Sequence, residues 1–208
     1  VTLWKEEGLC IPFCSPNQPN LFSKEEEIEI LREGGKRLAR ILQKVSESVT
    51  PGISTSELDK LAEKLIRDGG DEPAFLNYQP AFHMSPYPAS LCVSINNEIV
   101  HGIPSERVLK EGDIVSLDLG LKHKGMFTDH AVTVSVGKIS KKDEELLRVT
   151  KEALQIGIKA AQNGNRVGDI GYAIQEFVKP FGYGIVRDLS GHGVGRAIHE
   201  DPFVPNYG

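Results

Sequence analysis

The stretch SLDLGLKHKGMFTDHA, residues 116–131, sets the fold. Ile114–Leu121 is an apolar run that suits a strand, and so is the run from Met126 to Val136. Between them Lys122-His123-Lys124-Gly125 is polar and ends in glycine, which predicts a hairpin with a four-residue loop. In that register Leu121 pairs with Met126, and Asp118 lies directly opposite Asp129. Cross-strand partners share a face with Cβ atoms about 4.5–5.5 Å apart. The other face of the first strand is Val115, Leu117, Leu119 and Leu121, so one side of the sheet is core. Two carboxylates on such a sheet are costly unless something positive joins them: a divalent cation, an arginine or a shared proton. The plainer alternative is a solvated aspartate at a sheet edge with a shifted register.

The 208 residues are 39% hydrophobic and 25% charged, a composition that fits a globular chain. The net charge of −5 argues against a broad nucleic-acid or anionic-membrane surface, and no apolar run approaches the ~20 residues of a membrane span. Cys10, Cys14 and Cys92 form an odd set with no paired Cys or His motif to complete a zinc site. They read as free thiols in a reducing cytoplasm.

Upstream, residues 1–21 show no periodicity and read as an extension. Ser23–Glu26 carries a capping-box pattern ahead of a helix with a stripe of Ile28, Leu31, Leu38, Ile41, Leu42 and Val45. Ser54 with Glu57 opens a second helix (Leu58, Leu61, Ala62, Leu65, Ile66) that Gly69-Gly70 stops. Residues 71–89 hold four prolines and read as a long loop. Leu91–Ile95 is a short strand, and NNEIVHGIP then brings His101 to a turn. Beyond the hairpin, two more helices begin at Ser140 and after Asn163-Gly164, followed by an extended tail. The order helix, helix, strand thus begins twice, and the second round stops before a hairpin of its own.

That tail contains GHGVGRAIHEDP, with His192 and His199 seven apart and glycines beside the first. A flexible turn with two solvated histidines is the bland reading. Histidine beside two aspartates is also a plausible mixed nitrogen and oxygen site for zinc, manganese, iron or cobalt.

INNEIVHGIPSERVLKEGDIVSLDLG, FTDHAVTVSVG and SGHGVGRAIHEDP together resemble the type I methionine aminopeptidases, pita-bread metallopeptidases of family M24, from about residue 22 to the end. The resemblance implies an α+β pita-bread fold, an antiparallel curved sheet covered on one side by helices, with its second half incomplete. It implies one domain over 22–208 after an extension over 1–21. It further implies that Asp118 is a bidentate ligand of one metal ion, that Asp129 bridges two, and that His192 binds the second. His101 would contact substrate near the scissile bond, and His199 would hydrogen-bond the scissile carbonyl. Tyr87 and Cys92 would line a pocket for a methionine side chain. The implied reaction is removal of the N-terminal methionine from nascent proteins and peptides by a metal-bound hydroxide. Its cofactors would be two divalent ions (cobalt, manganese, iron or zinc). A cytoplasmic monomer is expected, with ribosome association an open possibility for the extension.

Two departures stand out. The family's last two ligands are glutamates beyond the HEDP segment, and after His199 only Glu200 and Asp201 are acidic, at other positions. The chain therefore reads as a C-terminally truncated member. The alternative is a non-catalytic remnant that binds peptides or proteins. The segment NYQPAFHMSPYP is also about six residues longer than its family counterpart. The position that often holds a histidine falls on Gln79 or Ser85, and His83 is either a substitute or an exposed loop residue.

Overall fold

The computed structural model describes residues 24–79 and 85–208. Helix α1 (Glu25–Glu47) and helix α2 (Thr55–Asp68) pack against one face of an antiparallel sheet. The sheet comprises β1 (Glu72–Pro73), β2 (Leu91–Ile95), β3 (Ile114–His123) and β4 (Met126–Ser135). Strand β3 is central: β4 lies along one edge, while β2 and β1 follow one another along the other.

The apolar stripes read from the sequence meet on the helical face. Leu38, Leu42 and Val45 of α1 and Leu58, Ala62 and Ile66 of α2 close over Leu91, Val93 and Ile95 of β2 and Val115, Leu117, Leu119 and Leu121 of β3. Helix α2 starts as expected: Ser54 Oγ accepts from Glu57 N–H, and Ser54 N–H donates to Glu57 Oε2 at 2.8 Å. Helix α1 starts one residue later than the Ser23–Glu26 pattern suggests. Lys24 N–H donates to Glu27 Oε2 at 2.8 Å, so Glu27 does the capping. At Gly34 this helix comes so close to the hairpin that an added Cβ would lie 3.3 Å from both His123 Cβ and Thr128 Cγ2.

The hairpin register differs from the expected one by two residues. The turn is only Lys124-Gly125, both with positive φ (48° and 87°), as a two-residue type I′ turn requires. The strands run on through Lys122 and His123 because both have partners there. Lys122 is paired with Phe127 on one side and Glu72 on the other. His123 is buried, with Nδ1 2.7 Å from Oδ1 of Asp71, which follows α2. Asp129 therefore lies opposite Gly120, and Asp118 opposite Ala131.

The long loop expected over 71–89 is partly structured. Its first residues form β1, and Asn77 N–H donates to Tyr87 O while Tyr87 N–H donates to Tyr78 O, both at 2.8 Å. His83 lies outside the described residues, as do the extension and its two cysteines.

Helices α3 (Lys141–Ala160) and α4 (Val167–Val178) pack on each other. They lead into β5 (Gly191–Gly193) and β6 (Glu200–Val204), a two-stranded antiparallel sheet. The second round of elements thus ends in paired strands where an extended tail was expected. Among the described residues no helix is long and apolar enough to cross a membrane.

Candidate metal centre

The face of the sheet away from α1 and α2 carries the acidic residues. Alternation along β3 puts Ser116, Asp118 and Gly120 on that face, and the ladder puts Asp129 and Ala131 of β4 beside them. Asp118 and Asp129 are diagonal neighbours, for which Cβ atoms are about 7 Å apart or less. Gly120 intervenes without a side chain, and a Cβ there would lie 2.7 Å from the Phe75 ring. Asp129 is buried, and the Oδ1 atom of Asp118 is shielded from solvent with no hydrogen-bond partner. Burial, and then the Asp129 charge beside it, pushes Asp118 up to about 8. Burial raises Asp129 as well.

Strand β2 completes the floor. Cys92 is directly across from Asp118. Asp59 of α2 fixes the start of this strand by accepting from Ser90 and Leu91 N–H at 2.8 and 2.9 Å. Burial pushes the Cys92 thiol up to about 12. Tyr87, half-buried beside it, reaches the Gly102 carbonyl at 3.0 Å and the Leu91 carbonyl at 3.2 Å.

The histidines come from two other segments: His101 from the turn after β2, and His192 and His199 from β5 and the loop that follows it. His101 has φ 60°, and the next peptide is held firmly. Gly102 N–H donates to Ser94 Oγ at 3.1 Å, and the Gly102 carbonyl accepts from Val93 N–H at 2.9 Å as well as from Tyr87. His101 faces solvent and lies in the neighbourhood of Asp118 and His199. The loop after β5 docks on β4 through Phe127 N–H, which donates to the Gly195 carbonyl at 2.6 Å. It is also tied to α1, because Arg196 donates to both Glu27 oxygens at 2.7 and 3.1 Å.

This docking sets His192 Nε2 3.6 Å from Asp129 Oδ2, with the His199 ring 4.3 Å from the His192 ring. His192 Nδ1 is 2.9 Å from the Gly193 carbonyl, an acceptor only, so Nδ1 carries a proton and, in the neutral ring, Nε2 keeps its lone pair. His199 Nδ1 instead meets the Tyr78 hydroxyl at 2.7 Å. Burial, then His192 and His101, lowers the His199 pKa. Glu200 turns its carboxylate back on Ala197 N–H at 2.6 Å, so it serves the loop.

The donor set fits a divalent cation. It contains two neighbouring carboxylates, one with an orphaned oxygen, and an imidazole whose free lone pair faces one of them. Among the described residues no three His, Cys, Asp or Glu side chains stand close enough to hold one ion as they are. The five residues singled out in the sequence, Asp118, Asp129, His192, His199 and His101, nevertheless occupy one neighbourhood. Tyr87 and Cys92 border it in an apolar cluster with Ala74, Phe75 and Ile198. Sequence reasoning missed Tyr78, whose only local signal is its place in an aromatic, proline-rich loop.

Paired carboxylates on a sheet, with imidazoles brought over them beside an apolar wall, describe a hydrolytic metal centre of the pita-bread class. The chain belongs to metallopeptidase family M24, whose model matches residues 29–208. It is 45% identical over 189 residues to a methionine aminopeptidase of Clostridium acetobutylicum, a match covering 90% of this chain and 73% of that protein. A methionine aminopeptidase of Aquifex aeolicus is 46% identical over 183 residues, covering 88% of this chain and 71% of its own. In structure, the methionine aminopeptidase of Rickettsia prowazekii matches with a TM-score of 0.85 at 36% identity, covering 89% of this chain and 73% of that one. The prolidase of Pyrococcus furiosus matches less well, with a TM-score of 0.77 at 26% identity and 52% of its own length covered.

Proposed function

We propose that this chain removes the N-terminal methionine from peptides and nascent proteins by metal-dependent hydrolysis. The observation that carries the reading is the common face shared by Asp118 and Asp129, with His192 Nε2 3.6 Å from Asp129. The relatives named methionine aminopeptidase at 45 and 46% identity support it.

Asp118, Asp129 and His192 would hold two divalent ions, cobalt, manganese, iron or zinc. Bound there, the ions would lower the pKa of water, polarise the scissile carbonyl and anchor the free α-amine of the substrate. The chain's own residues do the rest. His199, open to solvent on one side, donates a hydrogen bond to the carbonyl oxygen as charge develops on it. His101, presented at the rim by its left-handed backbone, contacts the peptide beside the scissile bond. The apolar cluster around Tyr87 and Cys92 takes the methionine side chain and excludes water.

In this reading residues 22–208 form the catalytic domain and residues 1–21 an extension available to the ribosome. The protein works as a monomer in the cytoplasm. The test is release of free methionine from a Met-Ala-Ser peptide by the 208-residue chain with manganese or cobalt, beside a His101→Ala control. Metal-dependent release that the control abolishes supports the reading, and metal-independent release overturns it.

A further inference from the structure

The two site histidines stand 4.3 Å apart yet have different partners on Nδ1. His192 Nδ1 faces the Gly193 carbonyl, which can only accept. His199 Nδ1 faces the hydroxyl of Tyr78 at 2.7 Å, a group that can donate. Tyr78 is half-buried; its carbonyl accepts from Tyr87 N–H, and its own N–H donates to Phe75 O at 2.9 Å. The phenol is thus fixed at both its backbone and its tip. Its ring packs beside the imidazole with centroids 5.1 Å apart.

We infer that Tyr78 is a positioning residue that donates its hydroxyl proton to His199 Nδ1 and so locks His199 in the Nε2–H tautomer. The two neighbouring histidines then hold opposite tautomers. His192 presents an Nε2 lone pair, suited to a cation, and His199 presents an Nε2–H, suited to an oxygen that gathers negative charge. The phenol is a competent donor, because a tyrosine is protonated at neutral pH and burial raises the Tyr78 pKa further. The alternative, in which His199 Nδ1–H donates to the tyrosine oxygen and Nε2 becomes an acceptor, would not serve the scissile carbonyl. An acceptor aimed at a developing oxyanion repels it. The inference rests on the proposed role of His199 toward the scissile carbonyl, but the tautomer itself does not depend on activity.

The experiment is long-range proton–nitrogen correlation on the metal-free 208-residue chain with ¹⁵N-labelled histidine, at a pH where the imidazoles are neutral. The His199 signal is assigned by its loss in His199→Gln. The expected result is a protonated Nε2 and an unprotonated Nδ1 on His199. Tyr78→Phe keeps the ring but removes the hydroxyl, and is expected to give a mixture of both tautomers. In methionine release the same variant should lower kcat on the order of tenfold with KM within about twofold, the pattern of a lost transition-state contact. An Nδ1–H signal in the wild type overturns the inference, and so does a tautomer unchanged in Tyr78→Phe. Unchanged kcat in an active Tyr78→Phe enzyme removes the positioning role. If the wild type releases no methionine, the proposed function fails, while the nitrogen shifts still decide the tautomer.

Discussion

Cys92 sits directly across the ladder from Asp118, so a thiol and a carboxylate share one sheltered face. Neither gains a charge easily there. With its pKa pushed up to about 12, Cys92 holds almost no thiolate at neutral pH. Alkylation of Cys92 by iodoacetamide in the native protein at pH 8 should run roughly a thousandfold slower than that of an ordinary thiol, and reach the ordinary rate in denaturant. Mass spectrometry of the peptide carrying Cys92 separates it from Cys10 and Cys14. Fast native labelling of that peptide would contradict the burial.

Asp118 makes the metal-free fold sensitive to pH. Its folded pKa is raised from the ordinary 3.8 to about 8, by burial first and the Asp129 charge second. A raised folded pKa means that the fold favours the protonated acid. That stabilisation is complete below about pH 4 and is lost as the pH rises through about 8. The melting temperature of the metal-free protein should fall across this window. Asp118→Asn, neutral throughout, should resemble the wild type near pH 4 and melt at least about 5 °C higher near pH 8. Equal slopes for the two proteins would refute this. Divalent metal should reverse the trend in the wild type, since it binds the deprotonated carboxylates.

Gly102 has no room for a side chain. A Cβ there would lie 2.1 Å from the Val93 carbonyl oxygen. Gly102→Ala must push the His101 turn off β2, at a cost of about 1–3 kcal/mol. A lowered urea midpoint together with impaired methionine release is expected. An alanine variant of wild-type stability and rate would show that the turn yields freely.

The Arg196–Glu27 pair joins the histidine loop to the start of α1. Both groups reach solvent, so global stability should hardly change when the pair is broken. Its effect should be local: Arg196→Glu should weaken manganese binding about threefold or more by loosening the loop that carries His192, measured by titration calorimetry. Arg196→Lys, which keeps the cation and leaves the Glu27 cap of α1 untouched, should retain most of the affinity. A lysine variant as weak as Arg196→Glu would assign the effect to something other than the charge pair.

Local chemistry was readable in the sequence. Ser54 and Glu57 lie three residues apart and cap α2 as their spacing requires, and the alternation of Val115, Leu117, Leu119 and Leu121 marks the buried face. The hairpin register was not readable, because it depends on Asp71 drawing His123 into the interior from fifty-two residues away. A polar residue before a glycine looks like loop unless its distant partner is known. Tyr78 escaped for the same reason, its partner His199 lying 121 positions along the chain. Asp118, Asp129, His192, His199 and His101 were legible because their spacing and neighbours form motifs. The side chains that orient them have no motif, only contacts.

The paired backbone of Asn77, Tyr78 and Tyr87 has a mechanical consequence. Tyr78 and Tyr87 are fastened to each other through the main chain. One hydroxyl reaches His199 and the other the Gly102 peptide. The two tyrosines therefore work as a single bracket, and a strain that loosens one backbone bond is felt on both sides of the site at once.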